Sequence, residues 1–155
     1  MTPAIDLARK AGIAHQLHEY DHDPKSESYG TEAAEKLGLD PDRVFKTLVV
    51  ETDAGELVVA IVPVSTSLNL KRVAKAAGAK KVIMADKQKV QRTTGYVLGG
   101  VSPLGQKKAL KTVIDESAQA FDTIHVSAGR RGLEIELAPA DLTSLTRASF
   151  AVIRA

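Results

Sequence analysis

The chain has 155 residues, of which 44% are hydrophobic and none is cysteine. That is enough for one domain with a substantial core, and it excludes disulfides, thiolate metal sites and a cysteine nucleophile. The net charge of +2 hides two opposite halves: residues 1–57 hold six Lys/Arg against twelve Asp/Glu, and residues 58–155 hold fifteen against seven.

Thr2-Pro3, residues 4–10 and Gly12 spell a short capped helix. Residues 14–20 have strand character, and Asp21-His22-Asp23-Pro24 opens a polar loop through Tyr29. Thr31 is placed to cap a helix ending near Leu37-Gly38. Asp40-Pro41 begins one more turn. Residues 44–51 and 56–64 are expected strands, joined by the hairpin signal Thr52-Asp53-Ala54-Gly55. A helix over 70–77 stops at Gly78, a short strand covers 81–84, and Asp86 caps a helix running to about Thr93. The segment from Gly95 to Gly105 is too rich in glycine for a helix interior. Strands are expected at 112–115, 123–127 and 133–137, the last two joined by a turn over 128–132. Residues 139–145 are helical and 150–153 add a final strand. Interleaved strands and short helices predict a single mixed-sheet α/β or α+β domain over 1–155. The N-terminus lacks a signal-peptide pattern, and no apolar run approaches the roughly 20 residues of a membrane helix. A soluble cytoplasmic protein is the expectation.

Lys46 is the most telling side chain. Strand alternation puts it on one face with Val44, Leu48 and Val50, an ammonium among aliphatic groups. Such a charge is costly unless paired, hydrated or neutralised. It marks either a functional cleft or a wet sheet edge from which the lysine reaches solvent. Between Lys71 and Arg92 lie Lys71, Arg72, Lys75, Lys80, Lys81, Lys87, Lys89 and Arg92 against Asp86 alone. That cluster suits a polyanion, and equally a solvated helical face. Adjacent Gly99-Gly100 lets backbone approach a ligand and present amide groups to a carbonyl or oxyanion, or simply forms a tight loop. Arg130 and Arg131 suit a phosphate or a hairpin tip. His15, His18 and His22 lack zinc-helix spacing, and exposed histidines are expected there rather than a metal site. Neither Ser102 nor Ser127 sits in a nucleophile motif, His125 completes no recognisable triad, and no phosphate-binding loop or cofactor motif is present.

Three stretches carry a resemblance: Phe45-Lys46-Thr47-Leu48, residues 94–108 around Gly99-Gly100, and residues 126–137 around Gly129-Arg130-Arg131-Gly132. Together with Met1-Thr2-Pro3-Ala4 and Tyr20-Asp21-His22-Asp23-Pro24, they resemble the YbaK family of Cys-tRNA(Pro) deacylases across nearly the whole chain. The resemblance implies a single α/β domain around a mixed sheet that curls toward a barrel, with no cofactor or metal. It implies trans-editing, the removal of cysteine from mischarged Cys-tRNA(Pro), in transient company with prolyl-tRNA synthetase and away from membranes. Lys46 matches the family's essential lysine and Gly99 a glycine of the loop that positions the ester, with Gly100 beside it. Tyr20, Tyr29, Thr47, Ser127 and Glu134 match positions of the pocket or tRNA end. Tyr29 stands where relatives often have Phe, and position 134 is Asp in some. Lys71, Arg72, Lys75, Lys80, Lys81 and Arg130 are expected to meet the tRNA. In the family the substrate thiol attacks its own ester, which suits a chain with no obvious nucleophile. Lys46 then anchors the terminal adenosine or its phosphate, or assists the leaving ribose hydroxyl. The alternatives are an Ala-tRNA(Pro) deacylase that uses water, or a non-catalytic module of this fold that binds tRNA or a synthetase.

Overall fold

A computed structural model of the chain describes residues 1–26 and 29–155. Glu27 and Ser28 of the expected polar loop, and the side chain of Tyr29, lie outside what is described. The elements run α1 (Pro3–Ala11), β1 (His15–Glu19), α2 (Tyr29–Leu37), β2 (Phe45–Thr52), β3 (Leu57–Pro63), α3 (Leu70–Ala77), β4 (Val82–Met84), α4 (Lys87–Thr94), β5 (Lys111–Asp115), β6 (Ile124–Arg130), β7 (Leu133–Leu137), α5 (Pro139–Thr146) and β8 (Ser149–Ala151). A 3-10 turn over Glu116–Ala120, not foreseen in the sequence, follows β5.

Local chemistry explains most boundaries. The Thr2 hydroxyl accepts the Ile5 N–H, Asn69 caps α3 through Arg72 N–H, and Asp86 caps α4 through Gln88 and Lys89 N–H. Gly12, Gly78 and Gly95 close these helices in the left-handed region. Thr31 does not cap α2, which begins two residues earlier and contains it. The expected turn over 128–132 is also shorter. β6 continues to Arg130 through a bulge between Ser127 and Arg130, so only Arg131-Gly132 turn. Gly129 permits that bulge with φ 110°, and a Cβ there would lie 2.8 Å from the Tyr96 ring.

The strands form two sheets, β1-β7-β6, wholly antiparallel, and the mixed β4-β2-β3-β5-β8. The apolar face of the small sheet (Ile124, Val126, Ala128, Leu133, Ile135, Leu137) packs with Phe45, Val59, Ile61 and Ile114 of the large one, and α1 adds Ala4, Ile5 and Ala8. On the opposite face of the large sheet, Val58, Ala60, Val62 and Val113 meet Val73 and Ala74 of α3.

The expected single sheet curling toward a barrel does not form. The two sheets are open, and their backbones join at one parallel bridge, Val44 to His125, where His125 N–H donates to Arg43 O at 3.0 Å. No further pairing joins β2 to β6 among the described residues. The strands show why: alternation places His18, His125, Ser127, Glu134 and Glu136 on one face of the small sheet. Continued closure would press that polar row against Val44 and its neighbours without water.

The C-terminus is held by Asp115. Its fully buried carboxylate accepts the N–H groups of Ile153 (3.0 Å) and Arg154 (3.1 Å) and pairs with the Arg154 guanidinium at 2.7 Å. Burial pushes this carboxyl up, but hydrogen bonds from Ser117, Ile153 and Arg154 outweigh it and hold the pKa below the ordinary aspartate value. Its contribution is therefore present above the unfolded aspartate pKa and fades as pH falls through the lower folded one. Asp115→Ala is expected to cost about 3–5 kcal/mol in urea denaturation at pH 7, because it strands buried donors and a cation. A loss below about 1 kcal/mol would show that the latch contributes little.

Candidate active site

The fork between the sheets opens a cavity of about 340 Å³. Its walls are Phe45, Lys46, Thr47 and Leu48 of β2, Ser127 of β6, Glu134 of β7, Tyr20 after β1, Gly30 in the first turn of α2, and Leu98, Gly99 and Val101 of the glycine-rich loop. Six expected site residues thus meet here: Tyr20, Lys46, Thr47, Gly99, Ser127 and Glu134. Sequence reasoning missed Gly30, Leu98 and Val101. Gly30 carried a signal only in hindsight: a Cβ there would lie 2.5 Å from Cγ1 of Val64, the residue after β3, so the glycine lets α2 approach that strand end.

Strand pairing leaves β2 open on this side. β4 pairs only with Val50, Glu51 and Thr52. Val64 N–H donates to Val44 O across the β2–β3 ladder, while Ala85 N–H donates to Val49 O from the other edge. By alternation, the backbone N–H and C=O of Thr47 point away from β3, toward the fork. The Thr47 hydroxyl is buried and unpartnered among the described residues.

Lys46 is half-buried, with no ion pair among the described residues, and desolvation lowers its pKa. It shares its sheet face with Val62, its partner on β3, and with the helix α3 that packs on that face. Glu134 is 6% exposed, and burial pushes its carboxyl up to about 8. At neutral pH it is mostly protonated, an acid that can donate a hydrogen bond. Tyr20 is raised by burial and, secondarily, by Glu134; its own N–H donates to Gly132 O at 3.0 Å. The Ser127 hydroxyl accepts the Gly129 N–H at 3.2 Å and has no imidazole partner among the described residues. With Glu134 neutral, Lys46 supplies the cavity's charge.

Gly99 lies in the left-handed region with φ 84° and faces the cavity. Gly100 has a different place from the one expected. Its N–H closes a turn onto Val97 O at 2.9 Å, so that amide is not free for an oxyanion. A Cβ at Gly100 would lie 2.9 Å from Arg130 Cα, and the residue permits loop and hairpin to touch. Arg131 reinforces the contact, donating to Leu98 O at 2.7 Å.

The expected basic residues fall in two places. Lys71, Arg72 and Lys75 lie exposed along α3, and Lys80 and Lys81 follow it, their N–H groups bound to Asp53. Arg72 also donates to Arg154 O at 2.8 Å. Arg130 is separate, at the hairpin tip, in a 3.8 Å exposed pair with Glu19. The histidines are less exposed than expected: His18 pairs with Glu136 at 2.8 Å and His22 with Glu32 at 2.6 Å.

Residues 23–145 match the family model described as the aminoacyl-tRNA editing domain. The chain belongs to this family. As an editing domain it is an aminoacyl-tRNA deacylase in reaction class. A protein of Enterococcus faecalis, provisionally named a Cys-tRNA(Pro)/Cys-tRNA(Cys) deacylase, is 48% identical over 120 residues, covering 77% of this chain and 73% of the relative. A proline–tRNA ligase of Moorella thermoacetica is 36% identical over 69 residues, covering 44% of this chain and 12% of that enzyme. Among solved structures, one described provisionally as a trans-editing enzyme for prolyl-tRNA synthetase superposes with a TM-score of 0.86 at 21% identity, covering 99% of this chain and 95% of that one. That last likeness concerns the editing-domain fold alone. No helix among the described residues is long and apolar enough to cross a membrane.

Proposed function

We propose that this editing domain removes cysteine from Cys-tRNA(Pro) in the cytoplasm, and from Cys-tRNA(Cys) as well, with the fork cavity holding the charged 3′ end. The observation that carries it is a ligand-sized cavity with, among the described residues, an uncompensated lysine and no activated protein nucleophile. The substrate then supplies the nucleophile. Its thiol sulfur bonds to the ester carbonyl carbon, the bond from that carbon to the ribose oxygen breaks, and a cyclic thiolactone leaves. The thiol gives up its proton and the ribose oxygen takes one.

The protein's part is positioning and charge stabilisation. Lys46 anchors the terminal adenosine or its phosphate, or assists the leaving ribose oxygen. The Thr47 N–H and hydroxyl and the Gly99 loop are the available groups around the ester oxygen, while Tyr20, Ser127 and Glu134 shape the aminoacyl pocket. This route also addresses selectivity, since a pocket alone separates small side chains by only about 1–3 kcal/mol. Lys71, Arg72, Lys75, Lys80 and Lys81 lead the tRNA toward Lys46, and Arg130 meets it at the hairpin tip. Likeness to segments of proline–tRNA ligases supports a transient complex with prolyl-tRNA synthetase.

The test is single-turnover deacylation of Cys-tRNA(Pro) beside its S-methylated form. The native substrate is expected to be cleared and the methylated one to persist. Equal clearance of both would make water the nucleophile and overturn the thiol step. A preference for Ala-tRNA(Pro) would overturn the cysteine assignment.

A further inference from the structure

We propose that His18, His125 and Glu136 form a binding site for one zinc-class divalent ion on the polar face of the small sheet. The three residues come from three strands, β1, β6 and β7, and their ligand atoms lie within 4.8 Å of one another. His18 Nε2 and Glu136 Oε1 are already 2.8 Å apart. The rings of His18 and His125 sit 5.1 Å centroid to centroid at 59°, so they converge rather than stack flat.

His125 gives the independent indication. It is 2% exposed, and its Nδ1 is fully enclosed and makes no hydrogen bond among the described residues. A buried imidazole without a partner is costly. Its backbone is held by the Val44 bridge, where its N–H donates to Arg43 O at 3.0 Å. A metal ion would satisfy it.

Ligand chemistry favours zinc. Two imidazoles and a carboxylate form a three-residue set with an open fourth position. Imidazole disfavours magnesium and calcium, which take oxygen ligands. Zinc sits about 2.0–2.2 Å from such atoms, so tetrahedral ligand atoms stand roughly 3.3–3.5 Å apart. The observed spread closes by modest rotations of His18 and Glu136, whose side chains are partly exposed at 28% and 20%. The protonation states suit a metal. Burial lowers the His125 pKa, and the Thr123 hydroxyl, 2.6 Å from Glu136 Oε2, is the main cause of a lowered Glu136 pKa. Thr123 then serves as the outer partner that fixes a ligating carboxylate. The neighbouring Arg43 stays turned to Thr123, donating to its carbonyl and hydroxyl. Glu134 and Ser127 lie two residues along the same strands on the same face, so the ion would brace one wall of the fork.

The experiment uses untagged, chelator-treated full-length protein. Zinc is titrated by calorimetry, and cobalt by its visible d–d absorption. One equivalent of each is expected to bind, zinc is expected to raise Tm, and magnesium and calcium to do neither. His18→Gln and Glu136→Gln, both at partly exposed positions, are each expected to weaken zinc at least ~10-fold, the loss caused even by removing an outer partner. His15→Gln, on the other face of β1, is expected to bind as wild type. Absence of stoichiometric zinc binding, or affinity unchanged in both variants, would overturn the site.

Discussion

Lys46→Ala is expected to lower single-turnover deacylation of Cys-tRNA(Pro) by about 10²–10³-fold, the range for removing a preorganised stabilising group. Folding should not suffer. The ammonium is half-buried with no counter-charge among the described residues, and desolvation is the one cause of its lowered pKa. Removing it relieves that penalty, so Tm should stay level or rise. Lys46→Arg separates the two roles open to the lysine. Arginine keeps the charge and can hold a phosphate, but it does not deprotonate in proteins and is a poor proton donor. Partial rescue by Arg would assign an anchor, and no rescue would assign proton assistance to the leaving oxygen. Wild-type turnover by Lys46→Ala would remove this residue from the mechanism.

The second large effect concerns stability and pH. Glu134 carries a folded-state pKa near 8 against an ordinary 4.5, and burial is the cause. Below about pH 4.5 both folded and unfolded chains hold the proton, and the residue costs nothing through ionisation. Between that value and about 8 the unfolded chain releases the proton while the folded one keeps it, so stability falls with rising pH. Above about 8 the loss is complete, of the order of 5 kcal/mol at most. Glu134→Gln cannot ionise and escapes this loss. Its denaturation free energy should match wild type at pH 4.5 and exceed it by several kcal/mol at pH 9. A gap that does not change with pH would mean that the folded carboxyl is already ionised. At neutral pH the same protonation leaves Lys46 as the unopposed charge in the cavity among the described residues, which suits a ligand bearing a phosphate or developing a negative oxygen.

Much of this architecture was legible in the residues because its causes are local. Thr2 and Asp86 are side chains that cap helices wherever a helix follows, and Gly12 and Gly78 end them by the same logic. Lys46 stood out because alternation along one strand is enough to place an ammonium among aliphatic groups. The resemblance supplied Tyr20, Ser127 and Glu134, which no spacing could have joined to Lys46. What stayed hidden depends on tertiary approach. Gly100 looked like its neighbour Gly99, yet its amide is committed to Val97 and its missing side chain is needed by Arg130. Thr31 has the right chemistry for a cap, but α2 starts before it. The assembly of His18 with His125 and Glu136 spans more than a hundred residues of sequence, and the spacing of the first three histidines gives no hint of it.

Because, among the described residues, one bridge at Val44 and His125 joins the backbones of the two sheets, Lys46 and Glu134 ride on separate plates that share a fulcrum. The gap between them is therefore set from behind, by how α1 and the central side chains wedge the small sheet against the large one. A methyl group gained or lost at Ile5 works on the short arm of a pair of tongs. It changes the jaw opening without touching a residue in the jaws.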